Sequence, residues 1–195
     1  MGYNETFVYR QVAELMLHGK PITDVLDDAI HRDASVSGPA CREVLRRASE
    51  CQPYLPLLLR NLEHQNAAIS DCAFRTFCQI GNPAIQILID AFPASNGRFR
   101  SDLLSLLSAL GDFDYVFPLL ADEILCENDE RRFWAANCLG RLHTLESNWT
   151  EQQSACLKYA TDLLLSTRSV PRYRKYWLMA RMTLKQLGVI PNDTT

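Results

Sequence analysis

The fold is decided by ENDERRFWAANCLGRL, residues 127–142, which opens with charged side chains, continues through apolar ones and ends on Leu-Gly. An apolar residue followed by glycine also occurs at 110–111 and at 80–81, at intervals of 29 and 30 residues. Each of these pairs closes a segment whose apolar residues follow the helical period. A fixed interval of this size is typical of a repeated structural unit.

Other landmarks keep nearly the same interval. Pro53 and Pro83 each stand early in an apolar segment, where a first helical turn tolerates the missing N–H. The predicted turns before the second helices each contain an asparagine that can cap free N–H groups, namely Asn66, Asn96 and Asn128. Gly81 and Gly111 are predicted to end helices in the left-handed conformation, whereas Arg141–His143 could extend the helix beyond Gly140. The repeated unit is therefore helix, turn, helix.

The predicted fold is all-α: one domain over residues 1–195, a right-handed α-solenoid of about five helical hairpins. In such a stack each unit buries its apolar face against its neighbours. An opening helix spans about 4–18. The first hairpin, 22–49, is predicted to contain helices 22–31 and 39–49, joined by RDASVSG. The remaining hairpins and the short tail cover the ranges 51–81, 82–111, 112–145, 151–188 and 189–195.

The stretch RRFWAANCLGRL, 131–142, resembles the second helix of HEAT-like repeats (armadillo-type α-solenoids) of the short phycobilisome-lyase type. Residues that match this pattern in order are Arg132, Ala135, Ala136, Leu139 and Gly140. The earlier copies keep the final apolar-glycine pair and lack the arginine in register. The resemblance implies an α-solenoid, and it implies a binding scaffold more than any one activity, because most HEAT-like repeats serve that role.

Composition excludes several classes of protein. Hydrophobic residues make up 47% of the 195 residues, as in ordinary globular chains, and no apolar run approaches the roughly 20 residues needed to cross a bilayer. The N-terminus lacks the basic-then-apolar order of a signal peptide. The seven cysteines form no CxxC pair, and none has a histidine at zinc-binding spacing. We expect a cytoplasmic protein with buried free thiols, no metal and no cofactor.

No nucleophile elbow, zinc-protease motif, P-loop or dinucleotide loop occurs in the sequence. The acidic pairs Asp27–Asp28 and Asp122–Glu123 are predicted to lie on solvated helix faces, because adjacent helical side chains point about 100° apart and do not form a dyad. No catalytic residue is predicted.

Two kinds of HEAT-like enzyme are alternatives. Phycobilin lyases attach or detach a chromophore on a carrier protein, and their chemistry leaves no sharp motif. Alkylated-base DNA glycosylases need a long basic groove. Residues 1–140 carry 12 basic and 19 acidic side chains, a net charge of −7, which argues against the glycosylase. Residues 141–195 carry 8 basic and 4 acidic side chains, a net charge of +4.

The predicted last helix, 171–188, offers one candidate binding surface. A buried apolar stripe is predicted at Tyr173, Trp177, Ala180, Leu184 and Leu187. The basic residues of this segment, predicted to bind a partner, are Arg172, Arg174, Lys175, Arg181 and Lys185. The surface is either the polar cap that a terminal repeat needs or a patch for an acidic partner, since arginine pairs bidentately with carboxylates. Nucleic acid is the less favoured partner.

The opening stretch offers the other candidate, because second helices usually line the concave face of a solenoid. Its predicted partner-binding residues are Arg131, Arg132, Trp134, Asn137 and Arg141. Trp134 is either core or an anchor for the partner. The predicted function is a non-catalytic protein-binding scaffold, either an adaptor or a cognate inhibitor such as an immunity protein. A phycobilin-lyase-like enzyme is the alternative.

Overall fold

The computed structural model describes residues 16–110, 113–143 and 149–191, and every regular element within these ranges is helical. Most of the predicted opening helix, and Gly111, lie outside the described residues. Contacts group the chain into two compact units, 1–94 and 95–195. The single domain and the number of hairpins stay predictions. No helix among the described residues is long and apolar enough to cross a bilayer.

The first unit holds the helical residues 16–18, five further described α-helices and two short 3₁₀ segments. The α-helices are α1 (Ile22–Ala29), α2 (Ala34–Arg46), α3 (Leu55–Leu62), α4 (Ala67–Ile80) and α5 (Ile85–Ala91). The 3₁₀ segments are Ala48–Tyr54 and Asn82–Ala84. Helix α2 packs on both α1 and α4, and α3 packs on α4. Fully buried Val25, Val44 and Phe77 lie in the core of this unit.

The helix predicted at 39–49 begins earlier than expected. It starts at Ala34, because Asp33 caps it by accepting a 2.8 Å hydrogen bond from the backbone N–H of Ser35. An aspartate at this position satisfies an N–H group that otherwise has no intrahelical partner. Residues 34–38, predicted to belong to the connecting loop, therefore form the first turn of α2.

The predicted N-terminal cap of α4 at Asn66 and its predicted C-terminal end at Gly81 are confirmed. The side chain of Asn66 accepts a 3.0 Å hydrogen bond from the N–H of Ala68. Gly81 follows the helix with φ of 73°, a conformation that favours glycine. Local capping chemistry thus fixes both ends of this helix.

The second unit holds five α-helices and one 3₁₀ segment among its described residues. The α-helices are α6 (Gly97–Leu110), α7 (Phe113–Leu125), α8 (Asp129–His143), α9 (Glu151–Ser169) and α10 (Trp177–Gln186). The 3₁₀ segment is Pro171–Tyr176. Asn128 caps α8, as predicted, by accepting a hydrogen bond from the N–H of Arg131.

Helix α8, which contains most of the opening stretch, is the centre of the second unit. It packs against α6, α7, α9 and α10. Every residue from Ala135 to Gly140 is buried, as expected for a helix with neighbours on all sides. The helix continues through Gly140 to His143 and does not stop at the glycine.

A buried carboxylate joins three helices of this unit. Glu123 on α7 is 3% exposed and accepts hydrogen bonds from Arg131 on α8 at 2.5 and 2.6 Å. It also accepts bonds from Arg100 on α6 at 2.6 and 3.2 Å. The prediction that Asp122–Glu123 is a solvated pair is wrong for Glu123, because this residue continues the apolar stripe of Val116 and Leu120 at helical spacing.

The seven cysteines, all among the described residues, are free thiols. Cys51, Cys72 and Cys138 are buried, whereas Cys78 is exposed and the remaining three are half-buried. The prediction of buried thiols therefore holds for three of the seven. Cys78 differs because it lies outside the buried stripe of α4, which contains Ile69, Cys72, Ala73 and Phe77.

Gly140 lets α8 and α10 approach closely. A Cβ atom at this position would collide with the Cγ2 atom of Thr183 on α10 and would come within 3.3 Å of Cδ1 of Leu187. Thr183 is 1% exposed, and its hydroxyl donates a hydrogen bond to the side-chain carbonyl of Asn137. The glycine therefore makes room for a buried hydrogen bond between the two helices.

Gly140→Ala is expected to lower the free energy of unfolding by about 2 kcal/mol, because the new methyl group would collide with Cγ2 of the buried Thr183 and overpacking costs about 1–3 kcal/mol. The matched control is Gly38→Ala on α2, whose new methyl group would meet only Nη1 of Arg42, at 3.9 Å. The control should raise stability by about 0.5–1 kcal/mol, because alanine favours a helix over glycine. Thermal unfolding followed by circular dichroism measures both changes. Equal shifts in the two variants would contradict the close approach of α8 and α10.

Candidate functional site

Residues 163–191 carry all the basic side chains of the last helical segment and contain no aspartate or glutamate. The six cations of this stretch are Arg168, Arg172, Arg174, Lys175, Arg181 and Lys185. They come from the end of α9, the 3₁₀ segment and α10. A stretch of this kind creates a local positive potential in a chain whose net charge is −3.

Half of these cations line one pocket. Its volume is about 360 Å³, and its walls are formed by Arg168, Trp177, Arg181, Lys185, Ile190 and Pro191. Trp177, Arg181 and Lys185 follow one another at intervals of four along α10, which places them on one side of that helix. The pocket therefore combines three positive charges with an indole ring and two aliphatic side chains.

The end of α10 folds the chain back to complete the pocket. Gly188 has φ of 69°, and its N–H donates to the carbonyl of Lys185 at 3.0 Å. The N–H of Val189 donates to the carbonyl of Leu184 at 2.9 Å. This pair of bonds is a Schellman motif, which reverses the chain direction after a helix. The reversal brings Ile190 and Pro191 to the pocket.

The sequence predicted that Trp177 lies in a continuous buried stripe, and the structure differs. The Trp177 side chain is half-buried and lines the pocket. The reason is that residues 171–176 form a 3₁₀ helix, in which side chains three apart lie on the same side. Tyr173 and Tyr176 accordingly share one partner, the ring of Phe133, with centroid distances of 4.9 and 4.6 Å. Leu187 is also only half-buried.

The other predicted cations of this segment lie outside the pocket. Arg172, Arg174 and Lys175 are exposed. The Arg172 guanidinium lies 4.5 Å from the ring centroid of Tyr173, and the Lys175 ammonium lies 4.8 Å from that of Tyr176. Contact with Tyr176 and the charges of acidic residues on α8 raise the pKa of Lys175. Within the predicted patch, the structure thus separates Arg181 and Lys185 from the rest.

The predicted residues of α8 are largely engaged inside the second unit. Arg131 binds Glu123, as described above, and Arg132 donates a 2.8 Å hydrogen bond to the hydroxyl of Tyr159. Arg141 lies 3.5 Å from the sulfur of Cys138. Trp134 is half-buried, a position consistent with either role predicted for it.

Asn137, one of the predicted partner-binding residues of α8, is buried. It is 5% exposed and accepts the hydrogen bond of Thr183. The sequence alone gave no sign of this, because polar residues on second helices usually face solvent. The Asn137 side chain can be buried because Thr183 on α10 supplies its hydrogen bond.

Sequence reasoning missed four residues of the pocket. Not among the predicted site residues, although they line it, were Arg168, Trp177, Ile190 and Pro191. The absence of acidic residues between positions 163 and 191 is a signal that could have identified Arg168. Ile190 and Pro191 depend on the chain reversal at Gly188, and no pattern in the sequence places them beside the cations.

Among the described residues, no cluster of three histidine, cysteine or acidic side chains could hold a metal ion. The three cations that line the pocket can attract anionic groups and donate hydrogen bonds to them. Searches with protein-family models and against curated proteins found no match for this chain.

Proposed function

We propose that this chain is a HEAT-like helical-repeat module that binds an acidic surface of a partner protein in the cytoplasm. In this proposal the helical hairpins stack as a right-handed α-solenoid, and the acid-free segment at residues 163–191 forms the binding end. The module itself is non-catalytic and acts as an adaptor or as a cognate inhibitor, for example an immunity protein.

The packing within each unit supports the repeat architecture. Helices α2 and α4, which are second helices of neighbouring predicted hairpins, contact each other in the first unit. In the second unit α6 contacts α8, and α8 contacts α10. Contacts between equivalent helices of neighbouring hairpins are typical of solenoids, in which each repeat packs only on its neighbours.

One observation supports an acidic partner. Six cations and no carboxylate lie between residues 163 and 191, and three of those cations meet in a single pocket. Guanidinium groups bind carboxylates with two parallel hydrogen bonds, which gives both orientation and attraction. An acidic protein surface satisfies this arrangement, whereas the net charge of −7 on residues 1–140 would repel a long nucleic-acid duplex.

The lyase-like alternative is supported by the resemblance of residues 131–142 to repeats of the phycobilisome-lyase type. Four of the five matching residues, Ala135, Ala136, Leu139 and Gly140, are buried in contacts between helices. Packing explains why these residue types occur there, so the match supports a repeat fold more strongly than it supports chromophore chemistry.

The double variant Arg174→Glu/Arg181→Glu tests the binding end. In cross-linking from native extract, a protein captured by the unchanged chain should be lost by this variant. Against that purified protein, the variant should slow association, and the loss should shrink as salt rises, because exposed charges are screened beyond about 8–10 Å. The exposed Arg174 substitution should change stability by less than about 0.5 kcal/mol, and thermal unfolding of the double variant checks that the half-buried Arg181 position also tolerates its change.

The control is Arg32→Glu/Arg75→Glu, which makes the same change in net charge at two exposed positions of the first unit. It should retain the captured protein. Equal capture by both double variants at every salt concentration would overturn the proposal. Repeated turnover of a bilin on mixing with phycobiliprotein subunits would establish the enzyme instead.

A further inference from the structure

The outer face of α10 combines exposed apolar side chains with two cations of the pocket. Leu178 is 73% exposed and Met182 is 64% exposed. With Arg181 and Lys185 they occupy positions i, i+3, i+4 and i+7, which lie on one side of a helix. The cap role predicted for α10 requires a polar outer face, and two large exposed apolar side chains do not fit that role.

The pocket extends the same mixture of charge and apolar surface. Trp177, Ile190 and Pro191 contribute apolar walls beside Arg168 and the two cations of α10, and none of the lining residues that the structure describes is acidic. A purely anionic ligand would leave this apolar surface without a partner, and a purely apolar ligand would desolvate the cations at a cost.

We infer that this docking face, composed of Leu178, Arg181, Met182 and Lys185 together with the pocket, binds a short acidic segment in which carboxylates are interspersed with large apolar side chains. The carboxylates bind the arginines and Lys185, while the apolar side chains cover Leu178 and Met182 and contact Trp177. The inference rests on the proposed function and specifies the part of the partner that binds.

The apolar component distinguishes this occupant from a nucleic-acid duplex, which presents its phosphate backbone to a protein surface. A phosphate backbone matches cations and offers nothing to cover Leu178 and Met182, which stand beside those cations at helical spacing. Segments that alternate acidic and apolar residues supply both kinds of contact, in the way that an amphipathic helix lays its apolar face against its receptor.

The test uses the full chain and fluorescence anisotropy with four probes. They are a synthetic peptide of interspersed glutamates and leucines, the same peptide with glutamine replacing glutamate, polyglutamate of equal charge, and a single-stranded oligonucleotide. The glutamate–leucine peptide should bind at least about tenfold more tightly than each of the others, a difference of about 1.4 kcal/mol.

Two pairs of variants separate the two contributions. Leu178→Ser/Met182→Ser and Arg181→Gln/Lys185→Gln should each weaken binding of this peptide by about tenfold. Leu125→Ser is the apolar control, since Leu125 on α7 is 72% exposed. Lys158→Gln is the charge control, since Lys158 is an exposed cation of α9 outside the pocket. Both controls should bind within about twofold of the unchanged chain.

The outcomes distinguish this inference from the proposed function. If polyglutamate binds as tightly as the mixed peptide and Leu178→Ser/Met182→Ser has no effect, the docking face is wrong and attraction to acidic proteins stands. Tighter binding of the oligonucleotide also overturns the inference. If neither acidic probe binds and protein capture is insensitive to Arg174→Glu/Arg181→Glu, both the inference and the proposed function fail.

Discussion

Phe133→Ala is expected to lower the free energy of unfolding by about 3–5 kcal/mol, the range for truncating a buried phenylalanine. Phe133 is fully buried in α8. Its ring stacks on Tyr176 and meets the edge of Tyr173, and such aromatic pairs add to the effect of buried area. The substitution therefore leaves a cavity at the point where the 3₁₀ segment packs on α8.

Intrinsic fluorescence during chemical denaturation measures this change selectively, because Trp134, Trp149 and Trp177 all lie in the second unit. Phe133→Leu should cost less than about 1.5 kcal/mol, since it nearly conserves volume. The control is Tyr115→Ala on α7, where the ring is 65% exposed and its loss should change stability by less than about 0.5 kcal/mol. A Phe133→Ala variant as stable as the control would contradict the packing of the 3₁₀ segment on α8.

Glu123→Gln should lower the free energy of unfolding by about 3–5 kcal/mol, as much as Phe133→Ala, because removing one partner of a buried ion pair leaves a buried charge uncompensated. The side chain of Arg100 is only 14% exposed and would keep its charge without the carboxylate. Asp122→Asn is the matched control, because Asp122 is the exposed neighbour of Glu123 on α7. A loss no larger than that of the control would show that Glu123 is not an internal ligand of the two arginines.

The pH dependence of stability checks the same contact. Burial by itself raises the pKa of Glu123, but hydrogen bonds and charges from Arg131 and Arg100 outweigh it and hold the pKa below its ordinary value. The carboxylate therefore contributes its full stabilisation above the unfolded pKa of about 4.3, and the contribution is lost as pH falls through the lower folded pKa. The difference in stability between the unchanged chain and Glu123→Gln should accordingly narrow in acid. A difference that stays constant down to about pH 3 would contradict this linkage.

The sequence by itself determined the secondary structure and much of the local capping. Apolar spacing predicted helices throughout, Asn66 and Asn128 cap the helices expected to follow them, and Gly81 and Gly188 end theirs. These features depend on residues a few positions apart, and hydrogen bonds within one turn decide them. Even the positive segment at residues 163–191 is visible as a run without acidic residues.

The tertiary structure decided which side of each helix is buried and what the polar residues meet there. Glu123 and Asn137 have the polar character of surface residues, yet partners on other helices bury them: Arg100 on α6, Arg131 on α8 and Thr183 on α10. Burial of a polar group depends on whether a distant part of the chain supplies its hydrogen bond.

Trp177 was predicted to lie in the core, but it forms part of the pocket wall. Residues 171–176 form a 3₁₀ helix with three residues per turn, so the side chains of the following α-helix point in other directions than an uninterrupted α-helix would give them. Packing of Tyr173 and Tyr176 on Phe133 accompanies that local winding. The periodicity of one segment shows which of its residues are apolar. Which side of the segment is buried depends on its contacts with α8, which is distant in sequence, and these contacts exist only in the folded chain.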